Sequence, residues 1–162
     1  MAQRLRSSGQ RLVLAESCTG GLVAATLAGI PGISEHLCGS AVVYRNATKT
    51  AWLGIEPKML DDPQIGPVSA ETTQALALAV LERTPEADLS AAVTGHLGPN
   101  APHSADGRIY VAVAFRDPNR RLAAQMHSVG DVRDSDPLRQ RRLRQEAAVQ
   151  FVLDLLATEL TR

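Results

Sequence analysis

The stretch from Leu12 to Leu27 constrains the fold of this chain more than any other part of the sequence. It opens with an apolar run, Leu12 to Ala15, which is long enough for a buried strand. A corner of small and polar residues follows, from Glu16 to Gly21, and apolar residues then continue with helical spacing. A strand, a small-residue turn and a helix in this order place a hydroxyl beside free backbone N–H groups at a helix N-terminus. The sequence therefore predicts a corner that holds an anion, presents a nucleophile, or does both.

Predicted strands and helices alternate along the first half of the chain. Strands are predicted near residues 11–15, 39–44, 87–94, 109–115 and 122–128. Helices are predicted near residues 19–28, 46–54, 57–60, 70–83 and 138–160, with the end of a further helix before Gly9. The alternation favours parallel strands with helices on both faces, and a hairpin turn at 117–119 makes the sheet mixed. The pattern therefore predicts an α/β fold around a mixed, mostly parallel sheet.

Composition limits the classes of partner and compartment. A chain of 162 residues is expected to form one domain, residues 1–162, and its low aromatic content of 3% leaves Leu, Val, Ala and Ile to fill the core. Lys plus Arg and Asp plus Glu number 17 each, so we expect neither nucleic acid nor an anionic membrane as partner. No apolar run approaches the ~20 residues of a membrane span. The N-terminus has no signal-peptide core, and Cys18 and Cys38 form no disulfide framework, so we expect a cytoplasmic protein.

Several polar residues come directly after predicted strands. In sheets of this class, ligands bind outside the carboxyl ends of the parallel strands. Ser17, Arg45, Asn46, Thr94 and Gly95 all follow such ends, so the sequence predicts that they meet at one rim of the sheet.

Ser17 is the first candidate nucleophile, and it needs a base to remove its proton. Lys49 is the candidate base. It lies three residues after Asn46, the predicted helix N-cap, where the positive end of the helix dipole lowers the pKa of an ammonium group. Tyr44 is placed to orient Lys49 or to relay a proton. The alternatives are structural: Ser17 and Thr19 as helix caps, Lys49 as a solvated lysine, and Tyr44 as an aromatic residue that closes the core.

Other reactive side chains carry weaker signals. Cys18 is the rival nucleophile, although free intracellular cysteines are usually buried packing residues. His96, His103 and Asp106 share one loop, but their spacing matches no familiar zinc pattern, so no metal is expected. A cluster of arginines is either a solvated helix face or a source of a guanidinium group for a phosphate: Arg139, Arg141, Arg142 and Arg144.

Five stretches of the chain are more specific together than any one alone: Ala15-Glu-Ser-Cys-Thr-Gly-Gly21, Val43-Tyr-Arg-Asn-Ala-Thr-Lys49, Leu53-Gly-Ile55, Gly66-Pro-Val-Ser69 and Ala92-Val-Thr-Gly95. They resemble the C-terminal domain family of the competence/damage-inducible protein CinA, whose members include nicotinamide-nucleotide amidases. The resemblance runs from about residue 11 to the final helix. It implies that the fold is a three-layer α/β/α sandwich. It also implies that the chain is a stand-alone, somewhat divergent member of that family.

The resemblance also implies an activity, namely deamidation of nicotinamide mononucleotide to nicotinate mononucleotide and ammonia without metal or cofactor. The catalytic serine, lysine and tyrosine of the family fall on Ser17, Lys49 and Tyr44. The substrate-binding residues that the resemblance and the strand ends together imply are Thr19, Gly20, Gly21, Asn46, Thr94, Gly95 and Arg144. Backbone N–H groups near Thr19 to Gly21 are expected to bind a phosphate or an oxyanion. The partner is then a small nucleotide, and a homo-oligomer is plausible.

Two stretches depart from the family pattern. Family members follow Thr-Gly with Ile-Ala-Gly-Pro, whereas this chain has His96-Leu-Gly-Pro-Asn-Ala-Pro-His-Ser104. Family members also carry Gly-Asp-Arg and a second arginine four residues on. Arg144 fits the second arginine, but Gln140 stands where the first is expected, so Arg133, Arg139 or Arg141 is left to replace it. Two alternatives therefore stay open: a non-catalytic pyridine-nucleotide-binding domain, and a serine–lysine amidase that acts on a different amide.

Overall fold

The first strand is apolar on both faces except at its last residue, Glu16, because helices cover both sides of the sheet. The computed structural model describes residues 1–161, and this strand, β1, spans Leu12–Glu16 with every residue buried. Successive side chains of a strand point to opposite faces. Leu12 and Leu14 accordingly belong to one apolar cluster, and Val13 and Ala15 belong to another.

The sheet has the strand order β2-β1-β3-β4-β5. The other strands are β2 (Leu37–Val42), β3 (Leu89–Gly95), β4 (Arg108–Phe115) and β5 (Ala123–Ser128). β1 pairs in parallel with β2 and β3, whereas β4 is antiparallel to both β3 and β5. Four of the five strands therefore run in one direction, which confirms the predicted mixed, mostly parallel sheet.

Helices form the two outer layers of the fold. The helices are α1 (Ala2–Ser8), α2 (Leu22–Ala28), α3 (Asn46–Leu53), α4 (Pro57–Asp61), α5 (Ala70–Glu82) and α6 (Pro137–Glu159). One cluster packs α1, α2 and α6 against the sheet, and the other packs α3, α4 and α5 against the opposite face. The predicted three-layer α/β/α arrangement is confirmed. None of the helices in the described part of the chain combines the length and the apolar composition that a bilayer crossing needs.

Two predicted helix starts were wrong by one to three residues. α2 begins at Leu22 rather than near Thr19, because Gly20 and Gly21 adopt left-handed backbone angles, with φ of 62° and 98°, and so prolong the turn. α3 begins at Asn46, with Arg45 rather than Asn46 in the N-cap position. The predicted cap of α5 is confirmed, since the Ser69 side chain accepts a hydrogen bond from the Thr72 N–H at 3.1 Å.

Candidate functional site

Ser17 lies immediately after the carboxyl end of β1, which is an interior strand of the sheet. Its N–H continues the sheet pairing by donating to the Val93 carbonyl at 3.1 Å, and its own carbonyl accepts from the Gly20 N–H at 3.1 Å. These bonds hold the backbone on both sides of the side chain. The Ser17 hydroxyl is therefore fixed at the rim where the parallel strands end, as the sequence predicts.

Lys49 reaches Ser17 from α3, across the end of β2. Its Nζ atom lies 3.3 Å from Ser17 Oγ, 3.0 Å from the Val43 carbonyl oxygen and 3.4 Å from the Tyr44 carbonyl oxygen. A neutral amine has two N–H donors and one lone pair. The two carbonyl groups accept the two N–H bonds, which leaves the lone pair to face the Ser17 hydroxyl. This arrangement is what a general base for Ser17 requires.

Burial favours the neutral form of Lys49. The side chain is 2% exposed, and loss of hydration lowers the pKa of its ammonium group from the ordinary value of 10.5. Within residues 1–161, Lys49 forms no ion pair that would oppose this effect. The predicted direction of the shift agrees with the structure, but its main cause is burial rather than the helix dipole.

Glu16 fills the corner after β1 with its own carboxylate. The side chain is 1% exposed and accepts five hydrogen bonds of 2.7 to 3.0 Å, which come from the Thr19 and Ser40 hydroxyls and from the N–H groups of Gly21, Val23 and Ala24. A carboxylate is a favourable partner for the N–H groups that a helix N-terminus leaves unpaired. The anion that this corner holds is therefore part of the protein.

The role predicted for Thr19, Gly20 and Gly21 needs correction. The Thr19 hydroxyl and the Gly21 N–H both donate to Glu16, and the Gly20 N–H donates to the Ser17 carbonyl. None of these groups lines the cavity at Ser17. Two amides of this turn, those of Cys18 and Thr19, donate to no acceptor on another residue within residues 1–161. The Cys18 N–H lies beside the thiol of the same residue.

A cavity of about 260 Å³ opens at Ser17 and Lys49. Asn46 and Gly95 line it, as predicted, and the remaining wall comes from Cys18, Tyr44, residues 67–68 and 96–101, and Arg141. Gly95 has no room for a side chain, because an added Cβ would lie 2.6 Å from Ile109 Cγ2 and 3.1 Å from Cys18 Sγ. The loop after β3 therefore runs close beside the corner that carries Ser17.

Thr94 was predicted to bind substrate, but the structure does not place it on the wall of the cavity. The residue is fully buried, and its hydroxyl lies 2.8 Å from the Thr73 hydroxyl, which in turn lies 2.6 Å from the Ser69 carbonyl. Side chains alternate across a strand, so the residue before Gly95 faces α5 rather than the cavity. Thr94 holds α5 to β3.

Arg144 was predicted to contact a phosphate, but the structure buries it away from the cavity. Its side chain is 0% exposed and forms a two-pronged ion pair with Asp106, at 2.7 and 3.0 Å. The Arg144 hydrogen bond holds the pKa of the Asp106 carboxyl below its usual range. Arg144 Nη1 also lies 3.5 Å from the Leu97 carbonyl oxygen. Arg144 therefore anchors the loop of residues 95–107 to α6 and does not reach the cavity.

Arg141 is the arginine that lines the cavity. Its guanidinium donates to the Gly98 carbonyl and, at 2.8 Å, to the Tyr44 hydroxyl. Both acceptors are neutral. The sequence named Arg141 only as one possible replacement, because four arginines in six residues gave no means of choosing the one that faces the site.

Tyr44 was predicted to orient Lys49 or relay a proton through its hydroxyl. The structure shows a different contact, since the main-chain carbonyl of Tyr44 lies near Lys49 Nζ while the hydroxyl accepts from Arg141. The side chain is 55% exposed and lines the cavity mouth.

The remaining reactive side chains do not form a competing site. Burial raises the pKa of the Cys18 thiol to about 12, so the thiolate is strongly disfavoured near neutral pH. His96 lines the cavity, and burial lowers the pKa of its imidazole. Over residues 1–161 there is no group of three or more His, Cys, Asp or Glu side chains that is suited to a metal ion.

Comparisons with known proteins agree with the fold and the motifs. Residues 1–160 match the CinA C-terminal domain family. A CinA-like protein from Desulfotalea psychrophila is 37% identical over 116 residues, and one from Acidobacterium capsulatum is 38% identical over 132 residues. These matches cover 70% and 77% of this chain but only 27% and 31% of those longer proteins.

Solved structures of similar length match nearly the whole chain. The competence/damage inducible protein CihA from Agrobacterium tumefaciens is 29% identical with a TM-score of 0.85, and the match covers 99% of this chain and 93% of that one. A competence damage-inducible protein from Klebsiella pneumoniae has the same fold, with 24% identity, a TM-score of 0.85 and coverage of 99% and 92%. The chain therefore belongs to the CinA C-terminal domain family.

Proposed function

We propose that this protein is a metal-independent amidohydrolase that deamidates nicotinamide mononucleotide to nicotinate mononucleotide and ammonia. The observation that carries the proposal is the buried contact of 3.3 Å between Lys49 Nζ and Ser17 Oγ, with two carbonyl groups occupying the amine N–H donors. A buried lysine with a lowered pKa beside a serine hydroxyl is the arrangement of an activated nucleophile. The amidase members of the family that the sequence resembles set the substrate class.

The reaction proceeds in two steps at Ser17. Lys49 takes the hydroxyl proton while Oγ attacks the carboxamide carbon, and the resulting tetrahedral intermediate carries the negative charge on its oxygen. The Lys49 ammonium then gives its proton to the departing nitrogen, and ammonia leaves an acyl-enzyme. Lys49 next takes a proton from water, which attacks the acyl carbon, and returns that proton to Ser17 Oγ as the carboxylic acid is released. One water is consumed for each ammonia formed.

The groups that would contact the oxyanion and the phosphate follow from the positions of the turn amides and of Arg141. The N–H group of Cys18, a residue that lines the cavity, is the oxyanion donor in this proposal, because Glu16 and Ser17 occupy the amides of Gly21 and Gly20. Arg141, rather than Arg144, is the guanidinium that meets the nucleotide phosphate. A guanidinium group suits a phosphate because its planar donors match two phosphate oxygens.

The test is ammonia release from nicotinamide mononucleotide by the wild type, Ser17→Ala and Lys49→Met. The chain offers a matched control, since its other lysine, Lys58, is exposed on α4. We expect Ser17→Ala and Lys49→Met to lose at least about 1,000-fold in rate, as removal of a nucleophile or its base does elsewhere. Lys58→Met should match the wild type.

Three results would contradict the proposal in different ways. Ammonia release that persists in Ser17→Ala and Lys49→Met rejects the serine–lysine mechanism. Release from another amide-bearing nucleotide but not from nicotinamide mononucleotide keeps the mechanism and changes the substrate. Calorimetric binding of nicotinamide mononucleotide without any turnover favours a non-catalytic binding domain.

A further inference from the structure

A second concave surface lies beside the cavity at Ser17, between α2 and the first half of α6. This α2–α6 groove has a volume of about 520 Å³. Its α2 side comes from residues 19–22 and Ala25, and its α6 side comes from Leu138, Arg141, Arg142, Gln145 and Glu146. Arg141 lines the groove and also lines the cavity at Ser17, so one guanidinium stands between the two.

The charge of Arg141 is uncompensated, unlike that of its neighbours. The other arginines between residues 133 and 144 each pair with a carboxylate at 2.7 to 3.6 Å: Arg133 and Arg144 with Asp106, Arg139 with Asp134, and Arg142 with Glu146. Arg141 donates only to a carbonyl and a phenol oxygen, and three of its five N–H donors have no acceptor within residues 1–161. An anion that bridges the cavity and the groove would supply the missing charge.

The walls of the groove suit a flat, partly polar group. Leu22, Ala25 and Leu138 give apolar surface, and Leu138 is 78% exposed. Gly20 leaves the floor open, since a Cβ added there would meet no atom within 4 Å. Gln145 and the Arg142–Glu146 pair place hydrogen-bonding groups along the α6 side. Apolar surface with a few polar groups is typical of sites for small molecules.

We propose that the α2–α6 groove is a second nucleoside subsite and that the enzyme also accepts pyridine dinucleotides. The inference rests on the proposed function. The pyridine carboxamide lies at Ser17, the pyrophosphate passes Arg141, and the second nucleoside lies between Leu22, Ala25 and Leu138. The bond that is broken remains the carboxamide C–N bond, so the product is the deamidated dinucleotide and ammonia.

The experiment blocks the groove without touching the cavity. Ala25 is exposed and lines the groove, whereas Ala28 is exposed on the same helix and does not line it. We compare Ala25→Trp with Ala28→Trp, using nicotinamide mononucleotide and nicotinamide adenine dinucleotide as substrates. Ala25→Trp should raise KM for the dinucleotide at least tenfold and change KM for the mononucleotide less than twofold. Ala28→Trp should change neither.

Binding separates failure of this inference from failure of the proposed function. Calorimetry with the Ser17→Ala variant measures the affinity of both nucleotides whether or not turnover occurs. The same measurement is made with the double variant that carries Ser17→Ala and Ala25→Trp. The inference holds if the dinucleotide binds more tightly than the mononucleotide and Ala25→Trp removes that difference. It is overturned if the dinucleotide does not bind more tightly, if Ala25→Trp weakens both nucleotides equally, or if the wild type deamidates only the mononucleotide. Absence of ammonia from either substrate, with the binding difference intact, rejects the amidase proposal alone.

Discussion

Replacing Glu16 by glutamine tests whether the internal carboxylate holds the corner after β1. The substitution keeps the shape of the side chain and replaces one acceptor oxygen with an NH2 group. Glu16 Oε2 accepts from the Thr19 hydroxyl and from the N–H groups of Gly21 and Val23, whereas Oε1 accepts from the Ala24 N–H and the Ser40 hydroxyl. The best placement of glutamine puts its carbonyl at the Oε2 position. The amide NH2 group then faces another donor, the Ala24 N–H.

The magnitude follows from these five contacts. Three charge-assisted bonds become neutral, at about 1 kcal/mol each. The Ala24 N–H loses its acceptor, which costs about 1–3 kcal/mol for a buried donor. The Ser40 hydroxyl can rotate and accept from the new NH2 group, so its bond survives. Partial relaxation of α2 lowers the sum, and we expect Glu16→Gln to reduce the free energy of unfolding by about 4 kcal/mol, a large part of the ~5–15 kcal/mol of a typical domain.

Urea unfolding followed by circular dichroism measures this loss. The control is Glu86→Gln, because Glu86 is 62% exposed and forms a surface ion pair with Arg11 at 3.6 Å. Surface pairs of this kind contribute at most about 1 kcal/mol. If Glu16→Gln lies within about 1 kcal/mol of the wild type, the carboxylate does not organise the corner and the reasoning fails.

Three further predictions concern Lys49, Arg144 and Cys18. Burial lowers the pKa of Lys49 in the folded state, so between that lowered pKa and 10.5 the unfolded chain binds a proton that the folded chain has released. The stability of the wild type relative to Lys49→Met should therefore rise with pH across that window in urea titrations, and a flat difference would contradict this. Arg144→Gln leaves Asp106 with only the longer pair to Arg133, at 3.6 Å, among the described residues, and should cost about 3 kcal/mol in urea unfolding. Arg139→Gln, at a pair whose arginine is 65% exposed, should cost less than about 1 kcal/mol, and equal losses would reject the anchoring role. Iodoacetamide at pH 8 should leave Cys18 unmodified in the folded protein, because burial raises the pKa of its thiol to about 12, and a Cys18 adduct in the mass spectrum of the native digest would refute this.

The sequence predicted the sheet and the proximity of Ser17 and Lys49 because both depend on local patterns. A short apolar run such as Leu12 to Ala15 is typical of a strand with helices packed on both faces of its sheet. Residues that follow parallel strands lie at the same edge of that sheet. The observed elements differ from the predicted ones mainly at their ends, as at Asn46. The position of Lys49 in the first turn of a helix suggested it as the base for Ser17, 32 positions away, and the family resemblance implied the same pair.

Side-chain partners could not be predicted in the same way. A glutamate before a small-residue turn gives no sign in the sequence that it turns back to bind the N–H groups of the following helix. The choice between Arg141 and Arg144 depends on which side of α6 faces the loop after β3, and both sides carry arginine. Arg144 forms an ion pair with Asp106, which lies 38 positions away and was considered from the sequence only as a possible metal ligand.

The ion pair between Arg144 and Asp106 also bears on how this protein can diverge. Ser17 and Lys49 belong to the first third of the chain, whereas much of the cavity wall belongs to residues 95–107, which Arg144 ties to the last helix. A change in the sequence of that loop therefore alters the shape of the cavity while the attachment of the loop to α6, and the positions of Ser17 and Lys49, stay the same. We therefore expect that exchanging residues 99–103 between relatives changes which ligand binds and leaves the contact between Ser17 and Lys49 intact.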